Sequence, residues 1–163
     1  MSVKITVIYD NRCDNLRLKE GWGFSTLIEF EGKKVLFDTG ADYSGFSSNA
    51  EILQVLYDEI THLVFSHRHS DHVAGFKKIV EKLNPGIPLY VPKGFPWLLR
   101  RKASSRLKLK VKEKCAHVVQ ECLALGVQKV APCHCSGEPL IRQFQDTYDS
   151  NFYKIGTGTN LLF

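Results

Sequence analysis

The sequence contains no long hydrophobic run. None of its apolar stretches approaches the about 20 residues that a membrane-spanning helix needs, which argues against an integral membrane protein. The N-terminus, MSVKITV, also lacks the apolar block of a secretory signal peptide and begins as a strand. We therefore expect a cytoplasmic protein with no membrane partner.

The sequence also lacks internal repeats and low-complexity segments, so a repeat array is excluded. Of its 163 residues, 44% are hydrophobic and 24% are charged, as is ordinary for a soluble globular protein. This length suffices for a real core, and we predict a single domain over residues 1–163. The five cysteines are odd in number, and a cytoplasmic chain is expected to keep them reduced.

Histidine is concentrated in one short stretch, residues 66–72, which reads SHRHSDH. A buried strand is predicted before this stretch and a helix after it, so the motif is expected on a strand-to-helix turn. In an extended backbone His67 and His69 point the same way, as a divalent metal requires. Asp71 and His72 follow at the helix start, where the helix dipole favours a carboxylate. We interpret the two pairs as two adjacent metal positions.

A carboxylate is also placed at the end of a predicted strand, where Asp38 follows residues 34–37 and precedes Thr39 and Gly40. An aspartate in this position is often only a turn initiator. It can also orient a histidine that binds a metal. Because the histidine cluster is predicted nearby, we favour the second interpretation and expect Asp38 to lie behind the metal ligands.

His134 follows a predicted buried strand, residues 127–131, much as His67 follows its own strand. Cys133 and Cys135 flank it, and both buried thiols and metal-bound thiolates remain open for them, the former being commoner. His117 lies in a predicted helix, residues 112–125, on the side opposite to the apolar face. We therefore leave His117 out of the candidate metal ligands.

Residues 93–114 are almost free of acidic side chains. They contain nine Lys or Arg and one acid, Glu113, so their net charge is +8 against +5 for the whole chain. Within this segment, residues 106–112 alternate strictly between cationic and apolar side chains, which predicts a strand. We favour an edge strand whose lysines prevent association with other sheets. The alternative is an anion-binding face for a phosphorylated substrate or for nucleic acid.

The remaining predicted elements alternate between strands and helices, which is typical of the α/β class. We expect strands at 4–9, 25–30, 34–37, 62–65, 88–91, 152–155 and 160–163, and helices at 49–57, after residue 72 and from residue 136 or 137.

The motif at residues 66–72 resembles that of the metallo-β-lactamase superfamily. Residues 131–137, APCHCSG, narrow the resemblance to the branch that includes archaeal pterin ribofuranosylaminobenzene-phosphate synthases. The resemblance extends over nearly the whole chain. It is carried by VIYDN (7–11), GFSTLIE (23–29), LFDTG (36–40), NA (49–50), SHRHSDH (66–72), GVQKVAPCHCSG (126–137) and NFYKIGTG (151–158).

This resemblance implies an α/β fold, the αββα sandwich, with metals at the edge of the sheets. By motif match it implies that His67 and His69 serve a first metal, and that Asp71, His72 and His134 serve a second. The resembled family also has a Cys-Ser-His motif, between its middle and last strands, whose histidine completes the first site. Here that interval is occupied by residues 93–114, which contain no histidine.

We therefore expect a sandwich shortened in the second sheet, with unequal metal sites. One metal per chain is expected to be held tightly by Asp71, His72 and His134, and the position at His67 and His69 is expected to be weak or empty. Zn²⁺ is the favoured ion, with Mn²⁺ or Fe as alternatives that suit mixed imidazole and carboxylate ligands.

The function favoured by these features is a metal-dependent hydrolase that acts on an ester or phosphoester bond of a small molecule, which can be phosphorylated. Asp71 is the candidate catalytic residue, since it would orient or deprotonate the attacking water. One alternative is a catalytically degenerate metal-binding or assembly protein of the same fold. A second is a nucleic-acid-binding protein or nuclease that uses residues 93–114, favoured less because few aromatic residues interleave with the lysines. The substrate, the physiological metal and the oligomeric state, including a homo-oligomer, are left open by the sequence.

Overall fold

The computed structural model describes residues 2–92, 106–112, 127–132, 134 and 137–162 of the chain. It confirms the α/β class predicted from the sequence, because strands and helices alternate along most of these residues. The strands are β1 (Val3–Tyr9), β2 (Ser25–Phe30), β3 (Lys33–Phe37), β4 (His62–Val64), β5 (Pro88–Pro92), β6 (Lys108–Lys112) and β7 (Asn160–Leu162). The α-helices are α1 (Tyr43–Ile52), α2 (Ser70–Val73), α3 (Phe76–Lys82) and α4 (Gly137–Tyr148), with short 3-10 turns at Tyr57–Glu59 and Asp149–Asn151.

The seven strands form one mixed sheet in the order β6-β5-β4-β3-β2-β1-β7. Strands β3, β4, β5 and β6 are parallel to one another, whereas β1, β2, β3 and β7 pair antiparallel. Strands β1, β3 and β4 consequently finish at the same end of the sheet, which we call the carboxyl end. The segments that lead into β2 and β7 start from this end as well. Four connecting segments that are distant in sequence, those between β1 and β2, after β3, after β4 and before β7, are thus brought together there.

A row of leucines runs across the middle of the sheet and fixes its register. Leu27 lies opposite Leu36, Leu36 opposite Leu63, and Leu63 opposite Leu89. All four are at most 5% exposed, and burying each contributes roughly 1.5–3 kcal/mol. A slip of one residue between neighbouring strands would turn this row to the other face. The register therefore also determines which residues meet at the carboxyl end.

A smaller apolar cluster lies under helix α4. Phe144 and Tyr148 of this helix pack against Val130 and Phe152. Val130 and Phe152 form an isolated parallel bridge, in which the Val130 N–H donates to Asn151 O at 3.0 Å. Strands were predicted at 127–131 and 152–155, and within the described residues only this bridge is observed in their place. The bridge holds the chain in place four positions before His134.

Helix α1 begins earlier than the sequence pattern predicted. The predicted helix was 49–57, whereas the observed one is Tyr43–Ile52 and is followed by a 3-10 turn at Tyr57–Glu59. The carboxylate of Asp42 caps the N-terminus by accepting the backbone N–H groups of Ser44 and Gly45, both at 2.9 Å. Such a cap stabilises a helix start even where, as here, the first turn is weakly apolar.

Among the strands that the structure describes, β6 is the terminal one and pairs with β5, in agreement with the predicted edge strand. The predicted helix 112–125, with Cys115, His117 and Cys122, lies outside the described residues except for its first residue, which ends β6. No helix in the described part of the chain combines the length and apolar character needed to cross a membrane.

Candidate metal centre

The histidine motif lies at the carboxyl end of the sheet, in the turn that joins β4 to α2. His67 and His69 converge as their two-residue spacing predicted, with 3.1 Å between His67 Nε2 and His69 Nδ1. Helix α2 begins directly after His69, and Asp71 lies in its first turn. The predicted strand–turn–helix context is thus observed, with a four-residue helix α2 followed by α3.

Three side chains at this end could hold one metal ion together. Asp71, His72 and His134 each offer a ligand atom, and these atoms lie within 4.8 Å of one another. Asp71 Oδ2 is 2.7 Å from His134 Nε2 and 3.6 Å from His72 Nε2. Ligand atoms around a tetrahedral zinc ion, at bonds of about 2.0–2.1 Å, are separated by about 3.3 Å. The observed distances therefore fit such an ion after small side-chain adjustments.

The orientation of His72 is fixed by Asp38. Asp38 Oδ2 lies 2.6 Å from His72 Nδ1, and each side chain is 1% exposed. Because Nδ1 is engaged in this hydrogen bond, Nε2 is left to face the other candidate ligands. Asp38 adopts a left-handed backbone conformation, with φ 59°, directly after β3. Aspartate tolerates this conformation better than most residues, so Asp38 serves both as the turn residue and as the partner of the histidine.

The same carboxylate reaches the first histidine pair through Ser66. The Ser66 hydroxyl lies 2.6 Å from Asp38 Oδ2 and 2.8 Å from His67 Nδ1. If the hydroxyl donates to the carboxylate, it accepts the His67 Nδ1 proton and leaves His67 Nε2 unprotonated. Ser66 N–H also donates to Asp38 Oδ1 at 2.9 Å. One buried carboxylate thereby orients histidines of both pairs.

His134 is oriented by Asn11, a residue that the sequence did not single out. Asn11 Oδ1 lies 2.6 Å from His134 Nδ1, which again leaves Nε2 to face Asp71. The ring of Trp22 contacts that of His134 edge-on, with 4.4 Å between centroids. Asn11 lies two residues after the end of β1, whereas Asp38 follows β3 directly. A polar residue within two positions of the end of a predicted strand was therefore the signal that could have identified it.

Backbone contacts hold the turn with Asp71 and His72 against its neighbours. The backbone N–H and the hydroxyl of Thr39 both donate to His72 O, at 2.7 and 3.0 Å. Phe24 N–H donates to Asp71 O at 3.3 Å. Gly23, with φ 127°, allows this close approach, because a Cβ at that position would overlap the same carbonyl oxygen. The glycine is thus required both by its backbone conformation and by space.

Electrostatics favour the protonation states that metal binding needs. Burial, helped by the nearby His72, lowers the pKa of His67 and so favours its neutral imidazole. Burial alone would raise the pKa of Asp71, but the hydrogen bond with His134 acts in the opposite direction, and the net shift of the pKa is downward. Asp10, which is 3% exposed and is not one of the candidate ligands, differs, because burial raises its pKa. A neutral imidazole and an ionised carboxylate are the ligand forms of these groups.

Two cavities open at the carboxyl end next to these residues. The smaller one has a volume of about 240 Å³. Its lining includes His134 and Trp22 together with Asn11, Arg12 and Lys154. The larger one, about 570 Å³, lies between residues 11–15 and 154–159. A substrate could therefore reach the centre from the side of His134.

The family of the chain can be recognised from its sequence as a whole. A model of the metallo-beta-lactamase superfamily matches residues 20–147, a range that contains the histidine motif and His134. The chain belongs to this superfamily. The superfamily resemblance stated from the motif is therefore confirmed, and with it the metallo-β-lactamase-like α/β fold.

Solved structures support the fold over the full length of the chain. A crystal structure described as a metal-dependent hydrolase of the beta-lactamase superfamily aligns with a TM-score of 0.65 and 18% identity, covering 98% of both chains. A diphosphatase of the PhnP family aligns with a TM-score of 0.61 and 13% identity, covering 100% of this chain and 98% of that one. At these identities the likeness concerns the fold alone.

One curated relative links the chain to the branch named above. The 7,8-dihydropterin-6-methyl-4-(beta-D-ribofuranosyl)-aminobenzene-5'-phosphate synthase of Methanocaldococcus jannaschii is 33% identical over 72 residues. The match covers 42% of this chain and 24% of that protein, so this chain spans about a quarter of the relative's length.

Cys133, Cys135 and most of residues 93–114 lie outside the described residues. Because most of residues 93–114 are not described, the predicted shortening of the second sheet stays a prediction.

Proposed function

We propose that this protein is a hydrolase that cleaves an ester or phosphoester bond of a small molecule at a metal centre held by Asp71, His72 and His134. The observation that carries the proposal is the convergence of these three ligand atoms, with each imidazole turned by a partner on its other nitrogen. Such partners are typical of histidines that bind metals. The superfamily of the chain, one of metal-dependent hydrolases, supports the same chemistry.

The donor set suits zinc, with Mn²⁺ or Fe as alternatives, because it combines imidazole nitrogens with a carboxylate oxygen. Three protein ligands with a fourth position open are typical of catalytic zinc sites. The pair His67 and His69 has no third ligand among the described residues, so we propose one tightly held metal per chain and a weak second position. When bound, such a metal lowers the pKa of a water molecule and polarises the bond to be cleaved.

The side chains of the centre then have distinct tasks. Asp71 carries an ionised carboxylate at the middle of the group and can accept a proton from the attacking water. Asp38 and Asn11 keep His72 and His134 in the tautomer that turns Nε2 inward. Because both partners are already in place, little reorganisation of the histidines is needed during turnover.

The substrate class is inferred from the relatives. One structural neighbour that covers the whole chain is described as a diphosphatase, and one curated relative is named for a product that carries a 5'-phosphate. Both names point to small phosphorylated molecules. As part of the proposal, we extend this substrate class to the present chain. We also propose a cytoplasmic location, as expected from the sequence.

Metal content and phosphodiester hydrolysis test the proposal together. The purified protein, prepared without chelators, is analysed for metals and assayed on bis(4-nitrophenyl) phosphate with Zn²⁺ or Mn²⁺ added. We expect about one firmly bound metal per chain and measurable turnover that Asp71→Ala abolishes while the circular dichroism spectrum is unchanged. Asp146→Ala, on the exposed face of α4, is the matched control and should remain active.

The outcomes separate the alternatives. Absence of metal after purification and after dialysis against zinc would contradict the metal centre. Full activity of Asp71→Ala would assign the chemistry to other residues. Bound metal without turnover on any ester or phosphoester would favour the catalytically degenerate protein instead.

A further inference from the structure

The two cavities at the carboxyl end share one part of their lining. Both contain Asn11, Arg12, Lys154 and Ile155, whereas His134 lines only the smaller one. Arg12 and Lys154 therefore lie where the smaller cavity, beside the metal centre, meets the larger one. Both residues are exposed to solvent.

The smaller cavity is largely apolar away from these charges. Its walls are formed by Trp22, Pro132, Ile141, Phe152 and Ile155. Its volume of about 240 Å³ lies below the roughly 300–1,000 Å³ typical of sites that enclose a whole ligand. It can therefore accommodate one apolar portion of a substrate, while the rest extends towards the metal centre or the larger cavity.

The charges are unevenly divided between the two cavities. In the larger one, Asp14 and Glu20 match the charges of Arg12 and Lys154. In the smaller one, the described lining has a single carboxylate, that of Asp10. This carboxylate is 3% exposed and already accepts the backbone N–H of Asn11 at 2.6 Å. Among the described residues that line the smaller cavity, the two cationic side chains therefore outnumber the one carboxylate.

We propose that Arg12 and Lys154 form an anion subsite, which binds a phosphate or carboxylate group of the substrate other than the group being hydrolysed. The apolar portion that joins this anion to the scissile bond occupies the smaller cavity, against Trp22. The inference rests on the proposed function, since it takes the centre at His134 as the place of hydrolysis. The subsite favours substrates that carry an additional anionic group, because two cations attract negative charge on any molecule that fits beside them.

Binding of phenylphosphonate tests the subsite without requiring turnover. This probe combines an anion with a ring and is resistant to hydrolysis. Its affinity is measured by isothermal titration calorimetry on the full chain, with zinc and after treatment with a chelator, for wild type, Lys154→Met and Arg12→Gln. The matched control is Lys129→Met, since Lys129 is exposed and lines neither cavity. Benzyl alcohol, a neutral ring of similar size, is titrated in parallel.

We expect Lys154→Met and Arg12→Gln to weaken phenylphosphonate binding to the chelator-treated protein by about tenfold each, the contribution of one charge-assisted hydrogen bond. Lys129→Met should bind like wild type, and benzyl alcohol should not distinguish the variants. Equal affinity of all variants, or no binding by chelator-treated wild type, would overturn the subsite. If Lys154→Met hydrolyses anionic substrates with an unchanged KM, the proposed function is retained and only the subsite is rejected. Binding at the subsite without any turnover would reject the proposed function and leave the subsite intact.

Discussion

Asp38 and His72 form a 2.6 Å contact between Oδ2 and Nδ1 that is almost completely closed to solvent. A buried carboxylate without a partner would be strongly disfavoured. Here the carboxylate has three contacts, because Ser66 approaches it with both its backbone N–H and its hydroxyl. The pair therefore serves stability and also sets the direction of the imidazole.

Removing this carboxylate should weaken metal binding more than removing the serine beside it. Asp38→Ala leaves His72 Nδ1 without its partner, and such changes typically lower metal affinity about 10–100-fold. Ser66→Ala keeps the contact between Asp38 and His72, so a smaller loss is expected. Zinc affinity, measured by competition with a chromophoric chelator, compares the two variants. Equal losses would show that Asp38 acts on the site only through Ser66.

The two ends of the histidine cluster should hold metal unequally. His134→Ala removes one of three converging ligand atoms and should lower the metal retained after dialysis far more than His67→Ala. Elemental analysis of both dialysed variants provides the comparison. Two firmly bound metals per wild-type chain would contradict this prediction and would direct attention to Cys133, Cys135 or a neighbouring subunit. Retention that depends mainly on His67 would show that the ligand assignment implied by the family does not apply here.

Gly23 should tolerate alanine much less than Gly32 does. Both have positive φ, 127° and 72°, so each substitution strains the backbone. Only at Gly23 would the new Cβ overlap neighbouring atoms, first of all the carbonyl oxygen of Asp71, whereas nothing lies within 4 Å at Gly32. We expect Gly32→Ala to lower the free energy of unfolding by about 1 kcal/mol and Gly23→Ala by roughly 2–4 kcal/mol. Urea denaturation measures both, and similar losses would refute the steric argument.

Charge reversal on the terminal strand of the sheet should be tolerated. Lys108 is exposed and belongs to β6, the terminal strand of the sheet among the described residues. The double variant Lys108→Glu, Lys110→Glu should stay within roughly 0.5 kcal/mol of wild type, as surface changes usually do. A large decrease in melting temperature would show that these lysines are buried or paired. Unchanged stability with reduced, salt-dependent nucleic-acid binding would instead favour the anion-binding alternative for this segment.

The acid sensitivity of the sheet should depend in part on Glu29. Its carboxylate lies 3.0 Å from Lys4 Nζ and 3.3 Å from Lys34 Nζ. Burial alone would raise the pKa of Glu29, but the two lysines outweigh it and lower the pKa below its ordinary value of 4.5. Because the folded pKa is depressed, the stabilisation is present above about pH 4.5 and is lost as the pH falls through the folded pKa.

Glu29→Gln should therefore be less stable than wild type at neutral pH, by at most about 1 kcal/mol because the pair is partly exposed. The difference should shrink as the pH falls below 4.5, the ordinary pKa of the carboxyl group. Thermal unfolding over this pH range measures it. A difference that does not change with pH would indicate lost packing and not lost charge.

The local elements were largely accessible from the sequence. Strand β2 (Ser25–Phe30) has the predicted bounds, and the helix following residue 136 is observed as α4. These segments could be predicted because their apolar periodicity and turn residues act over a few neighbouring positions. The start of helix α1 was predicted wrongly because the prediction relied on apolar periodicity. This periodicity is weak in the first turn, and the helix start depends instead on the side-chain cap at Asp42.

The sequence by itself determined the superfamily, the α/β class and the chemistry of the cluster, since His67, His69, Asp71 and His72 lie within six residues. Their spacing constrains them locally, whatever surrounds them. Only the tertiary structure brought Asn11 to His134 across 123 positions, and Asp38 to His72 across 34. These partners depend on the order and register of strands β1, β3 and β4, which are set by burial of the leucine row across the sheet. No local pattern encodes such long-range pairing, because the free energy that fixes it comes from contacts between distant segments.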